Sequence, residues 1–331
     1  MRNFKLLTIS FLFIALVFTS CKKDPPAVEI DESKVLIEYL ESANSPGADY
    51  TNTNAPSIIS ASDLNALVLT DAAYVIDIRA AADFTTGHIP GAVNVAATDV
   101  LTHIEGINME DYEKVAIVCY TGQTAGFVTG LMQLLGYEKV FALKWGMASW
   151  HSDFAGKWNT NISNAYATQF VTTSTAKGAA GELPVLSTGK ETGQEILEAR
   201  VDEVLAEGFS EASVTNATVF GALSSYYIVN YWPEAQYLNP GHIPGAMQYT
   251  PKETLKLAAD LKTLPTDKTI VVYCYSGQTS ANLAAYLRVL GYDAKSLTFG
   301  ANGMIYDLLA PAGISAGSIW SAGNSMEYDY E

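Results

Sequence analysis

The feature that most constrains this chain is that it says the same thing twice. Gly87-His88-Ile89-Pro90-Gly91-Ala92 returns as Gly241-His242-Ile243-Pro244-Gly245-Ala246. Cys119-Tyr120-Thr121-Gly122-Gln123-Thr124 returns as Cys274-Tyr275-Ser276-Gly277-Gln278-Thr279, and Leu135-Gly136-Tyr137 as Leu290-Gly291-Tyr292. Order is kept, and spacing is kept to within about one residue. A repeat this long marks duplication of a whole domain rather than a solenoid, and 331 residues suffice for two ordinary domains.

Each copy reads as alternating strands and helices. In the first, residues 74–78 and 115–118 are short apolar runs suited to buried parallel strands. Residues 124–135 set Phe127, Val128, Leu131, Leu134 and Leu135 at helical spacing, Gly136 stands where a C-terminal cap would, and residues 139–143 resume as a strand. The second copy repeats this over residues 269–273, 279–290 and 294–299. Strand, tight turn, helix, strand is a right-handed βαβ unit. The predicted class is therefore α/β, with two tandem domains, each a parallel sheet flanked by helices. The domains are expected over residues 57–158 and 194–312, the second opening on a helix at 194–205. The polar stretch 159–193, rich in Thr, Ser, Ala and Gly, reads as a linker or a long surface excursion. Residues 22–56 read as a tether with one weak helix near 34–40, and the tail 313–331 carries no signal.

Residues 1–21 do not belong to the fold. Arg2 and Lys5 precede an apolar run at 6–18, broken by Thr8 and Ser10, and Thr19 and Ser20 lead to Cys21. The run is short for a membrane span and has the flanks of a signal peptide. Small residues directly before Cys21 resemble the lipobox of bacterial lipoproteins, although Phe18 departs from the usual leucine. That resemblance implies lipidation of Cys21 and a lipid-anchored place in the bacterial cell envelope, at the periplasm or outer membrane. Lys22 stands where an inner-membrane retention signal would have Asp. The alternatives are an ordinary secretory signal or an uncleaved anchor. Among partners, 19 Lys and Arg against 35 Asp and Glu, a net charge of −16, argues against nucleic acid.

The chemistry points to the cysteines. Cys119 and Cys274 each end an apolar strand and precede a glycine-containing loop that runs straight into a helix. Such a loop sets the sulfur beside backbone N–H groups at the positive end of a helix dipole, which favours the nucleophilic thiolate. Gly122 and Gly277 let the loop curl, and the hydroxyls of Thr121, Thr124, Ser276 and Thr279 can bond a bound anion. A buried, inert cysteine at a strand end is the plainer reading, but recurrence at the same point of a duplicated motif favours function. Equivalent loops of separate domains also argue against a Cys119–Cys274 disulfide.

The Gly-His-Ile-Pro-Gly-Ala segment together with the strand-Cys-x-x-Gly-x-Thr-helix loop resembles the rhodanese sulfurtransferases. Asp77-Ile78-Arg79 is similar to that family's Asp-x-Arg element, and Gly146 with Trp150 to its closing Gly-aromatic segment. The resemblance covers roughly residues 57–158 and 195–309. It implies transfer of sulfane sulfur through persulfides on Cys119 and Cys274, with no cofactor or metal, from a small-molecule donor to a thiol acceptor or cyanide. The substrate-binding loops are then Tyr120, Thr121, Gly122, Gln123 and Thr124, and Tyr275, Ser276, Gly277, Gln278 and Thr279. Asp77 and Arg79 are implied to form a structural ion pair, and His88 and His242 to be turn residues rather than acid–base groups. Opposite Asp77 and Arg79 the second copy has Asn230 and Trp232, so its loop is expected to be less firmly braced and Cys119 to do more of the turnover. A phosphatase of the related dual-specificity type would need an Arg ending the loop, where Thr124 and Ala125, or Thr279 and Ser280, stand. The other reading is a persulfide- or ligand-binding module or scaffold without turnover. The loops are uncharged, which leaves thiosulfate-like and mercaptopyruvate-like donors both open.

Overall fold

Val115, Ala116, Ile117 and Val118 have no exposed surface, and neither do Ile270, Val271, Val272 and Tyr273. A strand apolar on both faces must be covered on both, which is the environment of a central parallel strand. The computed structural model, which describes residues 30–331, sets these runs at the middle of two five-stranded sheets. In the first, β1 (Ile58–Ile59), β2 (Ala73–Asp77), β3 (Val93–Asn94), β4 (Lys114–Val118) and β5 (Val140–Leu143) run in the order β1-β5-β4-β2-β3. In the second, β6 (Ser213–Val214), β7 (Tyr227–Asn230), β8 (Met247–Gln248), β9 (Ile270–Tyr273) and β10 (Ala294–Leu297) run as β6-β10-β9-β7-β8. All pairings in both sheets are parallel. The fold is α/β with two like sheets, as the repeat predicts.

Register makes the two copies comparable residue by residue. Asp77 lies opposite Val118 and Asn94, and Asn230 opposite Tyr273 and Gln248. Asn230 is thus the counterpart of Asp77, and each central strand is followed at once by its cysteine.

Four helices matter for the site: α1 (Glu32–Leu40), α2 (Gln123–Leu134), α3 (Gly193–Glu211) and α4 (Gln278–Val289). The loop helices α2 and α4 are capped by Gly122 (φ 81°) and Gly277 (φ 83°) in the left-handed region. The apolar spacing predicts one buried face on α2, yet every residue from Ala125 to Leu134 is buried. One side covers its own sheet, and the other packs against α4 of the second copy. Gly126 and Gly130 permit that approach: a Cβ on the first would meet the Gln278 carbonyl at 2.9 Å, and on the second the Asn282 amide at 2.8 Å.

Three segments outside the two sheets are placed as follows. Residues 32–57 are no tether. Leu36, Ile37 and Leu40 are buried and α1 packs on α3, while the Tyr50 hydroxyl accepts from Ser57 N at 3.0 Å and from Asn282 Nδ2 at 2.9 Å. The Glu32 carboxylate is held by the Thr188 and Gly189 N–H groups at 2.7 and 2.8 Å. The stretch 159–193 is largely exposed and follows the second copy, pairing Val171 with His242 and Lys177 with Asp260 at 2.7 Å. Residues 313–331, silent in sequence, return to the first copy. Trp320 is fully buried, Tyr328 N donates to Trp150 O at 3.1 Å, and Glu331 and His88 exchange both backbone hydrogen bonds at 2.8 and 3.0 Å. The leader, with Cys21, lies outside the described residues.

Candidate functional site

Chain geometry brings the backbone to each sulfur. β4 ends at Val118, the chain turns through Tyr120, Thr121 and Gly122, and α2 begins, so that Cys119 Sγ accepts from Gly122 N at 3.1 Å and Ala125 N at 3.4 Å. In the second copy Cys274 Sγ accepts from Gly277 N and Ser280 N, both at 3.3 Å. The strand that follows each loop helix closes over the back of the loop. Gly146 (φ 62°) sits so near that a Cβ would lie 2.3 Å from Cys119 O, and Gly300 (φ 51°) makes the same 2.3 Å approach to Cys274 O. Only glycine fits such a position.

Both thiols are free, and each residue is 3% exposed. This burial overturns the expectation that the loop and helix dipole lower the first thiol. Desolvation pushes the Cys119 thiol up, outweighing the donors of Ala125, Thr121 and Gly122, and the Asp77 carboxylate adds to the upward push.

The two cysteine loops face one another across the contact between copies. Gln123 extends out of its own loop, its Oε1 accepting from Phe299 N at 2.8 Å. Gln278 does the reverse, its Oε1 accepting from Trp145 N at 3.1 Å. Each amide occupies the space over the other copy's loop glycine, where a Cβ on Gly122 would meet Gln278 Nε2 at 2.2 Å and one on Gly277 would meet Gln123 Oε1 at 2.3 Å. The two glutamines, expected in the substrate-binding loops, therefore form a reciprocal clasp. Nothing in a glutamine at the first position of a helix signals this. Trp158, also unflagged by sequence, adds a cover: its Nε1 donates to Thr121 O at 3.3 Å and Trp145 O at 3.2 Å, and its ring stacks on Trp320.

The remaining loop side chains are placed as follows. Thr121 Oγ1 accepts from Gln123 Nε2 at 3.1 Å, and Ser276 Oγ from Gln278 N at 3.4 Å. Thr124 and Thr279 are half-buried. The Tyr120 hydroxyl donates to Asp83, and Lys157 Nζ lies 3.6 Å above the Tyr120 ring. This group forms one wall of a cleft of about 440 Å³, whose other walls include Asp153, Phe154 and Tyr330.

Asp77 and Arg79 are brought together as a buried bidentate pair, Nη2 to Oδ2 at 2.6 Å, and Arg79 Nη2 also donates to Gly87 O at 2.7 Å. The ion pair thus ties the Gly-His-Ile-Pro-Gly turn to the strand beside Cys119. His88 stacks on Phe84 and bonds the Phe84 carbonyl at 2.9 Å. His242 is fully buried between the carbonyls of Tyr237 and Thr173 at 2.9 and 3.2 Å. Neither imidazole is bonded to a cysteine sulfur.

The second copy has no ion pair at this place, and Trp232 Nε1 is buried without a hydrogen-bond partner where Arg79 bonds both Asp77 and the turn. Trp232 takes the place of the guanidinium, fully buried, and stacks on Tyr275 at 4.8 Å and 7°. The Tyr275 hydroxyl in turn donates to Gln236. A ring stack thus stands where the first copy has an ion pair. Among the described residues no three His, Cys, Asp or Glu side chains converge as metal ligands.

The family model described as the rhodanese-like domain matches twice, over residues 60–153 and 223–304. YrkF, a candidate sulfur carrier protein of Bacillus subtilis, is 26% identical over 122 residues, covering 36% of this chain and 63% of that protein. The thiosulfate sulfurtransferase GlpE of Pseudomonas putida is 29% identical over 84 residues, 25% of this chain and 74% of that one. A solved thiosulfate sulfurtransferase from Pseudomonas aeruginosa is 18% identical with a TM-score of 0.29, covering 88% of this chain and 49% of that chain. The chain thus spans under two thirds of the Bacillus relative and about half of the solved Pseudomonas protein.

Proposed function

Because the chain belongs to the rhodanese-like domain family, we propose that it is a sulfurtransferase, moving sulfane sulfur from a thiosulfate- or mercaptopyruvate-like donor to a thiol acceptor. The observation that carries this reading is the pair of backbone N–H groups aimed at each sulfur, at 3.1 and 3.4 Å for Cys119 and 3.3 Å twice for Cys274. In the first half-reaction the cysteine thiolate attacks the donor's outer sulfur. A bond from Sγ to that sulfur forms as the donor's own bond to it breaks, and the donor leaves with the electron pair, as sulfite from thiosulfate. The same N–H groups stabilise the anionic persulfide. An acceptor thiolate then attacks the outer sulfur, becomes the new persulfide and releases the cysteine as thiolate.

One observation favours a second reading, a persulfide-binding module or envelope scaffold without turnover: both cysteines are 3% exposed. Purified full-length protein assayed with thiosulfate, mercaptopyruvate and glutathione persulfide separates the two. Sustained transfer that disappears in the Cys119→Ser/Cys274→Ser double variant supports the enzyme. A single stoichiometric gain of sulfur without turnover supports the binding module.

The membrane location is part of the proposal. Lipidation of Cys21 would anchor the protein, since each buried CH₂ contributes about 0.8 kcal/mol and two or more acyl chains hold stably. Among the described residues no helix is long and apolar enough to cross a membrane. Cys21→Ala is expected to abolish detergent partitioning or block maturation, and unchanged partitioning would refute the anchor.

A further inference from the structure

The two cysteine loops agree in backbone, and beside the Asp77–Arg79 difference one more layer of side chains sets them apart. Ser296 on β10 lies opposite Val272, the position that Ala142 on β5 takes opposite Ile117. Six residues after each cysteine stands Ala125 in the first copy and Ser280 in the second, both donating their N–H to the sulfur. A pair of methyl groups at Cys119 is thus a pair of hydroxyls at Cys274.

Those hydroxyls belong to residues with no exposed surface, and they form a chain. Cys274 Sγ lies 3.6 Å from Ser280 Oγ, Ser280 Oγ lies 2.8 Å from Ser296 Oγ, and Ser296 Oγ donates to Gly277 O at 3.3 Å. With the cysteine protonated, S–H donates to Ser280, Ser280 to Ser296 and Ser296 to the carbonyl. With the sulfur ionised, Ser280 turns its proton to the sulfur and Ser296 turns its own to Ser280. The long bond to the carbonyl is exchanged for a hydrogen bond to a charge, which is the stronger kind.

We infer that Ser280 and Ser296 are positioning residues that hold Cys274 as its thiolate, making Cys274 rather than Cys119 the thiol that first takes up sulfur. The consequence for sulfur uptake rests on the sulfurtransferase reading; the effect on the thiolate does not. Surroundings point the same way. Asp77, on the strand next to Cys119, opposes negative charge there, whereas its counterpart Asn230 is neutral. The ionisable groups on the elements around Cys274 are few. Tyr273, Tyr275, Tyr227 and Tyr286 are phenols pushed up by burial. Lys295 donates to Glu211 O, and Arg288, near the far end of α4, pairs with Glu207.

The test is the pH profile of iodoacetamide alkylation in the folded full chain, read separately for the Cys119 and Cys274 peptides by mass spectrometry. Ser280→Ala is expected to move the Cys274 profile toward higher pH by about one to two units, the size of one hydrogen bond to a charged group, slowing alkylation at neutral pH about tenfold or more. Ser296→Ala should move it the same way by less, and Ser280→Thr, which keeps the hydroxyl, should restore it. The graft Ala125→Ser/Ala142→Ser should move the Cys119 profile to lower pH, and it remains informative if Ser280→Ala fails to fold. A Cys274 profile unmoved by Ser280→Ala, or a Cys119 profile unmoved by the graft, overturns the inference. Profiles that move as stated in a protein without sulfur transfer leave the hydroxyl pair standing and remove the enzyme reading instead.

Discussion

Replacing Gln278 by Ala removes one half of the clasp between the two cysteine loops. The Trp145 N–H, on a residue 3% exposed, loses its acceptor at 3.1 Å, and the weaker bonds from Nε2 to Gly122 O and Leu143 O go with it. A buried donor left without a partner costs about 1–3 kcal/mol, and the void left by the amide adds about 1 kcal/mol. The expected loss is therefore about 2–4 kcal/mol, or about 3–6 °C in the thermal midpoint of a chain this size. Calorimetry and urea unfolding of Gln278→Ala, with Gln278→Met to keep the volume and drop only the polar contacts, apportion the two terms. Gln123→Ala should behave alike, because its Oε1 holds Phe299 N at 2.8 Å. The double variant should lose about 0.5 kcal/mol or more differently from the sum of the singles, since each amide rests on the other copy's loop glycine. A Gln278→Ala midpoint within about 1 °C of the unsubstituted protein, against the shift expected from its buried donor, would refute the reasoning. The contact between copies would then be carried by α2 and α4 alone.

Asp77→Asn should destabilise by about 3–5 kcal/mol in urea unfolding, because it strands the buried Arg79 charge; adding Arg79→Trp, the pairing the second copy uses, should recover part of that loss. Burial pushes the phenols of Tyr231 and Tyr292 up to about 12, so they stay neutral in the folded chain after the unfolded chain begins to ionise. Stability from them is intact below the ordinary value of 10.0 and lost as pH rises from there toward about 12; a urea midpoint flat across that range contradicts the assignment. Deleting residues 326–331 strips Tyr328 and the Asp329 carbonyl from Trp150, and tryptophan emission should shift red with greater quenching by acrylamide; an unchanged spectrum would mean the tail does not cover that ring in solution.

Much of the site was legible because it is local. The strand-Cys-x-x-Gly-helix pattern needs only a few neighbouring residues to be read, and repetition of the pattern removed most of the ambiguity. The pairing of Asp77 with Arg79 is equally local, two residues apart on one strand end. What sequence could not decide were outcomes of contact between distant segments. Whether a loop thiol is raised or lowered depends on how much water the fold leaves beside it, and in Cys119 desolvation exceeds the pull of three backbone donors. Gln123 and Gln278 have the composition of solvated helix starts until the other copy's loop is set against them. Ser280 registers in sequence only as a residue that is not arginine; its meaning comes from Ser296, which parallel pairing of β9 and β10 brings within 2.8 Å. Residues 32–57 and 313–331 show too little apolar periodicity to announce a packed segment, and they are ordered by surfaces that exist only once both sheets have formed. Local pattern determined the elements and the place of each cysteine at the end of a central strand. Desolvation, which arises only on collapse, decided the electrostatics of Cys119, and long-range pairing of β9 with β10 decided which side chains surround Cys274.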